Sequence, residues 1–158
     1  MKILVLNLMP NKIETEKQIK KVYNNNSKIK FTFLRTESYK SKNTDFNYLK
    51  TNYKVFDEIA NNKFDGFICT GAPVEKIDFD KVIYWEELKI IFNWVRKKSL
   101  YSYFICWGAQ AALKIFYNID KYSLNEKLSG IYPQEVIGSS SILSNLQKPL
   151  FIPVSRFT

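Results

Sequence analysis

The chain has 158 residues, 46% hydrophobic and 16% aromatic, which suffices for one cored domain and excludes a disordered linker. Its net charge is +9, but Lys and Arg are spread thinly; the densest groups, around Lys20-Lys21 and Arg96-Lys97-Lys98, fall where solvated helix faces or helix C-termini are expected, so no nucleic-acid partner is expected. Two cysteines exclude a disulfide scaffold and point to a reducing cytoplasm, no apolar run approaches the roughly 18 residues of a membrane span, and the absence of histidine excludes a Cys-His or Ser-His pair, or a His-based metal site, within these residues.

Lys2 to Asn7 is a short apolar run bounded by Met9-Pro10 and reads as a buried strand. Ile13 to Asn24 reads as a helix with Ile19, Val22 and Tyr23 at helical spacing, ended by Asn24-Asn25-Asn26-Ser27. In Lys28 to Arg35, Ile29, Phe31 and Phe33 alternate with Lys28, Lys30 and Thr32, a strand with one wetter face. After a polar connection, Phe46 to Asn61 is expected to be largely helical, using Leu49, Tyr53, Phe56 and Ile59. Phe64 to Thr70 is an apolar strand closed by Gly71-Ala72-Pro73, and Cys69 within it reads as core. Tyr84 to Lys98 is a helix with Leu88, Ile91, Phe92 and Val95 on one side; Ser102 to Cys106 is a strand; Gly108 to Tyr117 is a buried, Ala-rich helix. Beyond Asn118, Lys127 to Ile137 and Leu150 to Val154 read as strands or extended segments, and no internal domain boundary is evident.

Strands alternating with helices predict an α/β domain with a doubly wound, mainly parallel sheet. Ligands bind such sheets at the carboxyl ends of strands, near the switch point. The strand-ending segments Asn7-Leu8-Met9-Pro10, Thr70 to Glu75 and Cys106-Trp107-Gly108 are therefore expected to converge.

Tyr103-Phe104-Ile105-Cys106-Trp107-Gly108-Ala109-Gln110-Ala111 carries a strand straight into a helix, with Cys106 at the junction. Gly108 and Ala109 are small enough for a sharp turn against the sheet, as in a nucleophile elbow. The helix N-terminus favours a thiolate there, and the Trp107 N–H is placed to bind an oxyanion. The competing reading is a cysteine packed as a small apolar residue.

Asn7-Leu8-Met9-Pro10-Asn11-Lys12-Ile13-Glu14-Thr15-Glu16 is similar to the opening signature of the MetA-type homoserine O-acyltransferases. So are Leu34-Arg35, Ser41-Lys42-Asn43-Thr44, Phe64-Asp65-Gly66, Thr70-Gly71-Ala72-Pro73-Val74-Glu75, Tyr84-Trp85-Glu86-Glu87-Leu88, Ile105 to Ala111, Glu126-Lys127-Leu128-Ser129-Gly130 and Pro153-Val154-Ser155-Arg156, in the same order along the whole chain. The resemblance implies a flavodoxin-like, class I glutamine-amidotransferase-like fold. It implies homoserine O-acetyltransferase activity: Cys106 takes an acetyl group from acetyl-CoA as a thioester and passes it to the hydroxyl of L-homoserine. Neither a resident cofactor nor a metal is implied. Lys127 and Ser155 match substrate-binding positions, Arg156 beside them suits a carboxylate, and Lys12 supports the acyl site. Glu75 matches the position that separates acetyl from succinyl donors: a carboxylate there repels the free carboxylate of a succinyl group and fills its space.

The chain departs from the family where catalysis needs a base. The family's general-base histidine and its orienting glutamate, in a later Gly-His-Pro-Glu-Tyr segment, have no counterpart here. Val154 and Tyr132-Pro133-Gln134-Glu135 also stand where the family carries histidines. The expectation is a partial acyltransferase domain over residues 1–158, shortened at both ends, with an incomplete sheet and low activity alone. It would act as a homodimer or with a complementing C-terminal fragment. The alternatives are a homoserine O-succinyltransferase, a non-catalytic relative binding CoA esters or another protein, and a glutaminase-type cysteine hydrolase.

Overall fold

The structure, a computed structural model, describes residues 1–23, 28–98, 101–138, 143, 146 and 149–158. The chain divides into two compact units, Met1–Lys121 and Tyr122–Thr158.

The first unit runs β1 (Lys2–Leu6), α1 (Lys12–Val22), β2 (Lys30–Leu34), α2 (Phe46–Asn52), β3 (Tyr53–Lys54), α3 (Phe56–Ile59), β4 (Gly66–Cys69), a 3-10 turn (Phe79–Lys81), α4 (Trp85–Lys97), β5 (Tyr101–Phe104) and α5 (Trp107–Tyr117). The sheet order is β3-β2-β1-β4-β5 with every pair parallel. This is the α/β architecture expected. With the two-residue edge strand β3 set aside, the order is compatible with a flavodoxin-like sheet. The chain moves outward from β1 to β2 and β3, then returns to β4 on the other side of β1. The switch point therefore lies between β1 and β4.

Alternation along the strands builds two cores. Leu4, Leu6, Leu34, Phe67 and Cys69 point to one face, where Leu88, Ile91, Phe92 and Val95 of α4 and Trp107, Ala111 and Ala112 of α5 cover them. Ile3, Val5, Phe33 and Ile68 point to the other, against Leu49 and Tyr53, with Ile19 and Tyr23 packed alongside. All four residues expected to form the buried side of α4 do so.

Helix ends follow their local chemistry. Asn11 caps α1 by accepting the Glu14 N–H (3.4 Å), and Lys20 and Lys21 close its last turn, as Arg96 and Lys97 close that of α4. Val22, expected on the apolar side of α1, is 77% exposed. The Asn24-Asn25-Asn26-Ser27 stop lies outside the described residues.

Phe46 to Asn61 is not one helix. Tyr53 and Lys54 pair with Phe33 and Leu34 as β3, splitting the segment into α2 and α3. Tyr53 gains a ring contact to Phe33 (5.7 Å) and its hydroxyl accepts a bond from the Asn7 side chain (2.9 Å). Both partners are remote in sequence, so helical spacing alone could not reveal them.

In the second unit, β6 (Leu128–Gln134) and β7 (Leu150–Arg156) form an antiparallel ribbon in which Ser129 faces Ser155 and Leu128 faces Arg156. Pro133 and Pro153 are tolerated because each strand has only one neighbour in the ribbon.

Candidate active site

Cys106 stands between β5 and α5 at φ 52° and ψ −124°. Only it and Asn118, the left-handed cap of α5, are non-glycine residues of positive φ among those described. Such a conformation costs on the order of 1–3 kcal/mol and persists where the surroundings enforce it. Here the Ile105 N–H donates to Cys69 O (2.9 Å), the Gly108 N–H to Ile105 O (2.9 Å) and the Ala109 N–H to Cys106 O (2.9 Å), fixing both sides of the turn. The Trp107 amide, one residue past the sulfur, is among the first amides of α5, which have no acceptor within the helix.

Two glycines let the backbone close on the turn, Gly108 with no room for a side chain and Gly71 with little. A Cβ on Gly108 would lie 2.6 Å from Thr70 O and 3.1 Å from Cys69 Sγ. A Cβ on Gly71 would lie 3.1 Å from Cys106 Cβ and 3.7 Å from its Sγ. The β4 loop thus runs directly against the sulfur. Cys106 is exposed while Cys69 is fully buried, where desolvation pushes its thiol well above the ordinary range. The contrast expected between the two cysteines holds: Cys69 is core, and Cys106 is the accessible thiol.

The three strand-ending segments converge. The Leu8 N–H donates to Thr70 Oγ (2.8 Å), the Thr70 N–H donates to Leu6 O (3.0 Å), and the Thr70 hydroxyl donates to Gly71 O (3.1 Å). Lys12 opens α1 yet is buried, its Nζ donating to Asn7 O (2.6 Å) and Met9 O (3.3 Å). Burial, with the nearby Arg35 charge second, brings its pKa down from 10.5 to about 8. The buried Asn7 side chain donates to Lys12 O (3.2 Å) and to the Tyr53 hydroxyl (2.9 Å), so it holds the loop from behind.

A cavity of about 410 Å³ opens at the switch point, within the size range of small-molecule pockets. Leu8, Met9 and Lys12 after β1, Tyr39 and Lys42 after β2, Val74 and Ile77 after β4, and Tyr84 contribute to its wall. Cys106 and Glu75 are outside that lining. Tyr84 connects the wall to the elbow, edge-on to Trp107 at 6.1 Å. Trp107 is completely buried, and its indole N–H has no partner among the described residues.

Glu75 is half-buried on the loop leaving Gly71, and its carbonyl accepts a bond from Lys121 Nζ. In the second unit, Lys127 directly precedes β6 with its Nζ 5.8 Å from the Phe157 ring, and the β6–β7 register places Ser155 and Arg156 at that same end of the ribbon. All three are exposed. In the sequence Asn7 and Tyr84 stand out only within longer blocks, with no role of their own, and nothing local marks Lys121.

Comparison with known proteins accords with this geometry. A model of the homoserine O-succinyltransferase family matches residues 1–158. A homoserine O-acetyltransferase of Campylobacter jejuni is 48% identical over 98% of this chain and 53% of its own length. Proteins of the same name from Petrotoga mobilis (43% identical) and Streptococcus thermophilus (45%) match all of this chain with 52% and 51% of theirs. The chain spans about half the length of the curated relatives it matches. With a strained, accessible cysteine on the expected turn and similarity that runs from one end of these residues to the other, the chain belongs to the homoserine O-succinyltransferase family of homoserine acyltransferases.

Proposed function

We propose that this chain carries the acyl-accepting part of a homoserine O-acetyltransferase of methionine biosynthesis, with Cys106 as nucleophile. The thiolate attacks the carbonyl of acetyl-CoA, the Sγ–C bond forms, the C–S bond to CoA breaks, and CoA leaves as a thiolate that takes up the proton Cys106 gave up. The homoserine hydroxyl then attacks the thioester, its proton passes to a base, and the Cys106 sulfur leaves. The Trp107 amide is proposed to stabilise the oxyanion of both steps.

The observation that carries this function is the exposed thiol at φ 52° with Gly71 pressed against it, since a merely packed cysteine needs no such strain. The cavity supports an acyl-CoA donor: its wall is largely apolar, as suits a pantetheine arm, with Lys42 exposed at its margin for an anionic tail. Lys127, Ser155 and Arg156 are proposed to bind homoserine, the guanidinium taking a carboxylate. Glu75 is proposed to favour acetyl over succinyl. No resident cofactor or metal is required by thiolate acyl transfer. Two free thiols support the cytoplasm as the compartment, and among the described residues no helix is long and apolar enough to cross a membrane.

No histidine serves as base within these residues, so the half-reactions should separate. Incubation with acetyl-CoA followed by intact mass is expected to show one acetyl group, absent in Cys106→Ala. Transfer to homoserine is expected to be slower than in a relative with a histidine base by about 10²–10⁴-fold. An unmodified wild-type protein, or an adduct that persists in Cys106→Ala, would overturn the assignment. A succinyl adduct formed in preference from succinyl-CoA would replace acetyl as the donor.

A further inference from the structure

Lys121 follows α5 and bears none of the sequence blocks that carry the family resemblance. Its ammonium nevertheless donates to two carbonyls of the β4 loop, Glu75 O and Ile77 O (2.7 Å for the latter). It also lies 5.2 Å from the centre of the Phe79 ring. Phe79 in turn stacks on Trp85 (4.9 Å) and contacts Trp107 (6.1 Å), the residue after the nucleophile. Within the loop the Ile77 N–H donates to Val74 O (3.0 Å). Burial depresses the Lys121 pKa, and the Asp78 and Glu75 carboxylates nearby oppose that shift.

We propose that Lys121 is a positioning residue for acyl-donor choice: by stapling the carbonyls of Glu75 and Ile77 over Phe79, it fixes the loop that presents the Glu75 carboxylate. A cation with several donors suits this task because one head group satisfies two carbonyls and a ring face at once. An unstapled loop lets Glu75 swing away, and the larger, charged donor is then no longer rejected.

The inference rests on the proposed acetyl transfer, and the test separates the two. The chain is incubated with equal acetyl-CoA and succinyl-CoA, and the ratio of Cys106 adducts is read by intact mass. Lys121→Met is expected to raise the succinyl-to-acetyl ratio by about tenfold, Lys121→Arg to restore it, and Lys121→Met to add nothing in a Glu75→Gly background. Amide exchange across residues 74–77 is expected to quicken in Lys121→Met and to recover in Lys121→Arg. Loss of melting temperature without a change in the ratio would make Lys121 a stability residue only and overturn the proposal. If the wild-type protein takes neither acyl group, the transferase assignment fails; exchange at 74–77 unchanged in Lys121→Met would then overturn the staple itself.

Discussion

At the scale of single residues, Lys12 shows what burial does to a side chain that reads on paper as surface lysine. It is 6% exposed and its ammonium is held by two backbone carbonyls beside the cavity. Its folded pKa, about 8, lies below the unfolded 10.5, so the unfolded chain holds the proton more tightly between those values. The penalty of burying the charge is therefore complete below about pH 8, and stability gains from this group as pH rises from about 8 toward 10.5. An NMR titration of the Lys12 side chain is expected to give a midpoint near 8, moving upward in Arg35→Met because the neighbouring positive charge is removed. A midpoint at the free-lysine value would contradict the burial. Cys106 differs in that its exposure and strain were foreshadowed by its neighbours, a strand before it and small residues after it. No local pattern marks Lys12 as buried, because the carbonyls that hold it belong to the bend of its own loop.

At the scale of elements, the elbow depends on close approach of α5 to β4. A Cβ added at Gly108 would meet a backbone oxygen, Thr70 O at 2.6 Å, which cannot move without shifting β4. Gly108→Ala is expected to destabilise the protein by about 1–3 kcal/mol, read as a lowered urea midpoint, and to slow acetylation of Cys106 as the sulfur is displaced. An unchanged midpoint would mean that α5 stands further from the sheet. Most elements were legible because their apolar period is long enough to be unambiguous, α4 above all. Phe46 to Asn61 was not: Leu49, Tyr53, Phe56 and Ile59 suit a helical face, but Tyr53 is drawn into the sheet by Phe33 and Asn7. A two-residue strand has no period of its own, so only its partners identify it.

At the scale of the molecule, β5 ends the sheet order. Its Tyr101 and Tyr103 are 89% and 67% exposed, whereas Ile68, paired with Tyr103 on β4, is 7% exposed. Leu113 and Tyr117 of α5 are also exposed. Exposed aromatic surface beside an open strand edge favours association. Replacing Tyr101 and Tyr103 together by lysine is expected to lower binding of a hydrophobic dye and to reduce self-association in sedimentation. Unchanged values would show that this face is not where the chain adheres. Residues of the second unit illustrate a different limit. Lys127, Ser155 and Arg156 came from motif resemblance, and the ribbon register supplies the reason they share one end.

Outside Phe46 to Asn61, the alternation of strands and helices was determined by the sequence alone, as were the contrast between two cysteines and the choice of Cys106 as the candidate nucleophile. Hydrophobic period, small residues at a turn and family motifs are local properties written in consecutive residues. Tertiary structure alone decided that Lys12 is buried, that Tyr53 joins the sheet, and that Lys121 reaches back to the loop of Glu75. Tyr53 and Lys121 depend on partners distant in sequence, Lys12 on the bend that brings the carbonyls of its own loop back onto it, and burial changes the energy of a charge only once those neighbours are in place.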